Sequence, residues 1–282
     1  MLRCRDLKKR YGDNEVLKGI NLEIPEESIF GLLGPSGAGK TTLIKILTGQ
    51  LAYDGGSVEV FGKEPKELNG EDKKRFGIMM DNFGVYERFS CGDNLAVFAD
   101  IFDVPRSRIQ SILDEVGLGA ALKRPASDLS KGMRARLQLA RAFMHSPEII
   151  FLDEPTSGLD PQTMRLIHRI ILDKKEQGST IFLTTHNMEE AYKLCDNIVL
   201  LNEGRIIEEG RPEEICRRYD HQKRIKMHLS DGEDVEFGRD DNSVESIIGL
   251  LKDGRVTTIH STEPTLETVF LELAGRKLEE EA

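Results

Sequence analysis

Lys40 and Thr41 close the string GPSGAGKT, which runs from Gly34 through Pro35, Ser36, Gly37, Ala38 and Gly39 and is followed by Thr42. Glycines at this spacing let a backbone wrap close to phosphate oxygens, so that successive N–H groups and the positive end of a following helix face the anion. Lys40 adds a cation for the β- and γ-phosphates, and the Thr41 hydroxyl is a ligand for Mg²⁺. Such a site also needs an acid to support the metal and another to activate water. Asp153 and Glu154 supply both directly after the apolar run Ile149 to Leu152. Asp153 suits a hard cation, and Glu154 suits orienting or deprotonating a water. A second anion site is expected where Ser130, Lys131, Gly132 and Met133 open a helical segment, since a helix start presents free N–H groups and a positive dipole end. Ser157, Gly158, Leu159 and Asp160 follow the acidic pair, and His186 follows the run Thr180 to Thr184.

These residues need a scaffold that brings strand ends together. Apolar runs at Ile29 to Leu33, Ile149 to Leu152, Thr180 to Thr184 and Ile198 to Leu201 alternate with helical periodicity, including Lys40 to Gly49, which is the pattern of an α/β fold with a largely parallel sheet. Ligands bind such sheets at the carboxyl ends of their strands, where the phosphate loop and the acidic pair would meet. Leu2 to Tyr11, Glu15 to Ile24 and Ser57 to Phe61 read as shorter antiparallel strands. Helical patterns such as Asp93 to Phe102 and Arg106 to Val116 replace the strand signal within residues 84–145, a candidate helical subdomain. From about Gln222 the texture changes to a hairpin turning at Asp231-Gly232, a helix from Ser243 to Lys252, a strand from Arg255 to His260 and a helix from Thr265 to Ala274. The expected domains are therefore 1–220 and a small α+β unit at 221–282.

Composition excludes several classes. A formal net charge of −10 over 282 residues argues against a nucleic-acid surface, which needs a basic patch. No apolar run approaches the roughly 20 residues that span a bilayer, and the N-terminus lacks a secretory apolar core. The four cysteines form no Cys-x-x-Cys pair and read as reduced cytosolic thiols, and the six histidines show no metal-ligand spacing.

In order and spacing these motifs closely resemble the nucleotide-binding subunit of an ABC transporter over residues 1 to 220. The resemblance makes GPSGAGKT the Walker A loop, IIFLDE the Walker B strand, LSKGM the signature, SGLD the D-loop and His186 the switch histidine. It implies ATP and Mg²⁺ as cofactors, Tyr11 as the aromatic stacking on adenine and Val16 as an apolar contact to ribose and base. It further implies a head-to-tail homodimer in which Ser130 and Gly132 of one copy meet the γ-phosphate held by the other, with separate transmembrane permease subunits at the inner face of the membrane. Two positions depart from the family pattern. LSKGM stands where LSGGQ is usual, and Asp81 stands where a glutamine near the metal is expected. An acid there resembles the lantibiotic-immunity and bacitracin-resistance branch, and the stretch Glu263 to Phe270 resembles the tail of ABC-2 type exporters of drugs and peptides. Two alternatives stay open: a soluble non-transport ATPase of the same type, and a nucleotide-gated sensory subunit with weak hydrolysis.

Overall fold

The structure, a computed structural model, describes residues 2–80, 85–221, 223–238 and 241–280. In chain order it begins with β1 (Leu2–Tyr11), β2 (Asn14–Ile24), β3 (Ile29–Leu33), α1 (Lys40–Leu47), β4 (Gly55–Val60), α2 (Gly70–Lys74) and β5 (Phe76–Met79). A helical stretch follows, with α3 (Cys91–Ile101), α4 (Arg108–Glu115) and α5 (Lys131–Phe143). The chain then alternates through β6 (Ile149–Asp153), α6 (Pro161–Glu176), β7 (Thr180–Thr185), α7 (Met188–Leu194), β8 (Asn197–Asn202) and β9 (Arg205–Gly210). Last come α8 (Pro212–Arg218), β10 (Arg224–Leu229), β11 (Asp234–Gly238), α9 (Asp241–Lys252), β12 (Val256–Ser261) and α10 (Leu266–Glu280).

The central sheet has six strands in the order β5-β6-β7-β3-β8-β9. Its parallel ladders place Ile29 beside Ile181, Leu33 beside Leu200 and Asp153 beside Thr184. Every residue of β3, β6 and β7 is buried, as continuous apolar runs require when both faces of a parallel sheet are covered. Phe30 stacks on Phe182 with ring centroids 5.9 Å apart, and Phe151 packs 5.7 Å from Phe182, so aromatic side chains fill the sheet's centre. A separate antiparallel sheet, β2-β1-β4, adds Leu2, Leu7, Leu17 and Val58 to the same core.

β5 carries little strand signal in the sequence, being short and interrupted by Gly77. The glycine is there for packing: a Cβ on it would lie 2.3 Å from the Ala142 carbonyl oxygen of α5. The expected strands at β3, β6, β7 and β8 and the helices α3 and α4 are all present.

Two compact units divide the chain, one ending at Glu209 and one beginning at Gly210. The division falls ahead of α8, not after residue 220. α8 packs with α10 of the second unit, so the change of texture near Gln222 marks the onset of a hairpin and not the packing boundary. Within the second unit β10 pairs with β11 and β12 in the order β11-β10-β12, with Met227 opposite Val235 and Ile225 opposite Phe237. Gly232 turns this hairpin with a φ of 89°.

Candidate active site

The phosphate loop leaves the carboxyl end of β3 and enters α1. At Gly34 a Cβ would sit 2.2 Å from the Leu201 carbonyl oxygen of β8, so only a glycine lets the loop depart against that strand. Gly39 caps α1 with a φ of 111°, in the left-handed region, and no side chain caps the first-turn N–H groups. Lys40 is buried at the start of α1. Its Nζ donates to the carbonyl oxygens of Gly34 at 2.6 Å and Pro35 at 3.1 Å, folding the loop around its own cation.

Asp153 and Glu154 follow one another at the end of β6 but point to different partners. The buried Asp153 carboxylate accepts the Thr41 hydroxyl at 2.8 Å through Oδ2 and the Thr184 hydroxyl of β7 through Oδ1, bridging the loop helix to the sheet. Glu154 has a φ of 51° and precedes Pro155, a combination that disfavours a side chain in this conformation. Its N–H donates to the Thr184 carbonyl oxygen at 3.0 Å, which fixes the turn. The Glu154 carboxylate then lies between two cations or potential cations. Oε1 is 3.4 Å from Lys40 Nζ, and Oε2 is 2.6 Å from His186 Nδ1. An ionised carboxylate only accepts, which places the ring proton on Nδ1 and leaves Nε2 for another partner.

A cleft of about 400 Å³ is lined by Ser36, Gly37, Gly39, Lys40, Thr41, Thr42, Asp153, Glu154 and Val16, while His186 reaches it only through its hydrogen bond to Glu154 and is not among the lining residues. Met80 and Lys45 also line it. Both escaped the sequence reading, because a methionine after a weak strand and a lysine inside a helix carry no motif. Tyr11, half exposed at the end of β1, is not among the lining residues, and Lys9 Nζ lies 5.5 Å over its ring. Asp81 lies outside the described residues.

The helix start expected as a second anion site is that of α5. Ser130 caps α5, its hydroxyl accepting the Met133 N–H at 3.3 Å. Gly132 abuts Thr163, where a Cβ would come within 3.0 Å of the Thr163 methyl, and Lys131 Nζ lies close beside Gly158. None of Ser130, Lys131, Gly132 and Met133 is among the residues lining the cleft. Ser157, Gly158 and Leu159 form the turn into α6, which Asp160 caps by accepting the N–H groups of Gln162 at 3.0 Å and Thr163 at 2.9 Å. Hydrogen bonds from the Thr163 hydroxyl and N–H hold the Asp160 carboxyl below its usual range.

Parallel strands with a phosphate loop after β3 and an acid at the end of β6 define a phosphate-loop nucleotide-binding protein. The family model for ABC transporter matches residues 17–157, and the chain belongs to that family as an ATP-binding, ATP-hydrolysing subunit. It is 38% identical to the Fluoroquinolones export ATP-binding protein of Mycobacterium tuberculosis, over 99% of this chain and 94% of that protein. The Lantibiotic transport ATP-binding protein SrtF of Streptococcus pyogenes is also 38% identical, over 73% of this chain and 89% of its own length. Among solved structures, one described as the ATP binding subunit of an ABC transporter superposes with a TM-score of 0.71 at 26% identity, covering 78% of this chain and 93% of that one.

Proposed function

We propose that this chain drives export through separate permease subunits at the inner face of the membrane, working as a head-to-tail dimer in which each ATP lies between two copies. The observation that carries the catalytic reading is the placement of the Glu154 carboxylate, 3.4 Å from Lys40 and 2.6 Å from His186 at the edge of the phosphate-loop cleft. In that reading Glu154 takes a proton from the attacking water as the water oxygen bonds to the γ-phosphorus and the bond to the bridging oxygen breaks. Lys40, the loop N–H groups and the α1 dipole face the growing charge on the phosphoryl oxygens. His186 holds the base in place through Nδ1, which leaves Nε2 to meet a phosphate oxygen.

The Thr41 hydroxyl and the Asp153 carboxylate are hard oxygen donors beside the loop, and they would hold Mg²⁺ together with phosphate oxygens. Bound there, the ion would offset the charge of the β- and γ-phosphates. Among the described residues no cluster of three or more His, Cys, Asp or Glu offers an all-protein cage, which agrees with a metal completed by its nucleotide.

The dimer is supported by the signature residues. Ser130 and the Gly132 N–H open α5 away from the cleft of their own copy, so a second copy is what brings such a helix start to the γ-phosphate. Export is supported by the relatives, whose names describe fluoroquinolone export and lantibiotic transport. No helix among the described residues is long and apolar enough to cross a membrane, and in this reading the permeases supply the crossing. Glu154→Gln keeps the shape of the base and removes its charge. It should lower turnover by about 10²-fold or more while ATP still binds, and near-normal ATPase activity would remove Glu154 as the base. Co-purification with a multi-span membrane protein tests the permease assignment.

A further inference from the structure

Glu190, in the first turn of α7, is a buried carboxylate, 2% exposed, that the phosphate chemistry does not use. Its Oε1 accepts the Thr156 hydroxyl at 2.6 Å and lies 3.0 Å from His168 Nε2 on α6, while Oε2 accepts the Thr185 hydroxyl at 2.8 Å. Burial opposes a charge here, yet the hydrogen bonds from His168, Thr156 and Thr185 outweigh it and hold the carboxyl below the usual range. The group is therefore an anion at neutral pH with three donors converging on it.

What those donors carry gives the cluster its meaning. Thr156 stands two residues after Glu154, and Thr185 immediately precedes His186. The Thr156 carbonyl oxygen also receives the Leu159 N–H at 3.1 Å, and the Ser157 N–H returns to the Glu154 carbonyl oxygen at 3.2 Å. On the other side the Thr185 hydroxyl accepts the Asn187 N–H at 3.0 Å, and Asn187 Oδ1 accepts the N–H of Glu190 itself at 3.0 Å. A single carboxylate thus ties the segment bearing Glu154, the segment bearing His186 and α6 into one unit.

We propose that Glu190 is a positioning residue for ATP hydrolysis, its two oxygens holding Thr156 and Thr185 where the Glu154 carboxylate and the His186 ring meet at 2.6 Å. The proposal rests on the assignment of Glu154 as the base that activates water. Glutamine in place of Glu190 keeps the volume but presents one acceptor and an NH₂ group where two acceptors are needed. Displacing a catalytic group by about 1 Å costs on the order of 10²-fold in rate, which sets the scale of the effect.

The test measures single-turnover and steady-state hydrolysis of MgATP by the full chain in four forms: unmodified, Glu190→Gln, Glu154→Gln and the double variant. Expected for Glu190→Gln is a kcat roughly 10- to 100-fold lower with KM and ATP affinity changed less than about twofold. In the Glu154→Gln background the same substitution should add almost nothing, because the group it positions is already disabled. Should Glu190→Gln fail to fold, Thr156→Val removes one arm of the cluster at nearly constant volume and should show the same selective loss of kcat. A folded Glu190→Gln or Thr156→Val protein with unchanged kcat overturns the proposal, as does a loss that multiplies with that of Glu154→Gln. Normal turnover in Glu154→Gln alone overturns the base assignment first and this proposal with it, so the two failures are told apart.

Discussion

Asp153 and Glu154 are neighbours in sequence, yet a turn of the backbone sends one carboxylate into the sheet and the other into the cleft. Asp153 keeps its extended strand position and meets two hydroxyls, whereas the left-handed φ of Glu154 swings its side chain toward Lys40 and His186. The acidic pair and the histidine were legible in the sequence because each follows an apolar run. The left-handed turn between the two acids was not legible, since it comes from the Thr184 carbonyl across the ladder, a contact between residues far apart in the chain. Glu190 was hidden for a similar reason: an acid in the first turn of a helix looks like ordinary dipole complementation. Its pH signature follows from its depressed folded-state pKa. Against an unfolded value of about 4.3, the carboxylate contributes stability in full above that pH and loses it as pH falls through the lower folded value. Glu190→Gln should therefore flatten part of the acid limb of the stability curve, read by denaturant melts from pH 6 down to about pH 3. A variant losing stability in parallel with the unmodified chain over that range would contradict the charge assigned here.

At the scale of elements, the site depends on how closely α1, β3 and β8 approach. The strands β3, β6, β7 and β8 were readable because each has five or six residues rich in apolar and β-branched side chains, while β5 has only four, one of them Gly77, which serves packing against α5. Gly34 answers the same need at the start of the phosphate loop. Gly34→Ala should cost about 1 to 3 kcal/mol of stability and weaken ATP binding, as the loop is pushed off β8. Thermal melting with and without MgATP checks this, and an unchanged melting temperature in both conditions would show that the loop has room to spare. The start of α5 separates two roles of Ser130, which caps the helix and is proposed to meet phosphate from a second copy. Ser130→Asp preserves an N-cap acceptor but brings a negative charge to an anion, so the fold should hold within about 1 kcal/mol while ATPase activity falls steeply. Equal ATPase activity in Ser130→Asp and the unmodified chain would reduce Ser130 to a cap.

For the whole molecule, a composite site predicts complementation between two disabled chains. In the proposed dimer, Lys40→Ala damages the phosphate loop of its own copy, and Ser130→Asp damages the signature lent to the other. A mixed pair contains one site with both defects and one with neither, so mixing the two variants should restore ATPase activity that each lacks alone. Silence in the mixture, with mixed dimers demonstrated, would argue that each copy completes its own site. The Glu154 backbone carries a further consequence for the chain as a whole. A left-handed conformation costs an ordinary residue about 1 kcal/mol or more and costs glycine little, so Glu154→Gly should melt above Glu154→Ala although both lack the acid. Among variants that lack the acid, selection for heat resistance would thus favour glycine over alanine at the residue proposed to activate water, so the backbone turn alone would rank subunits that no longer differ in side-chain chemistry.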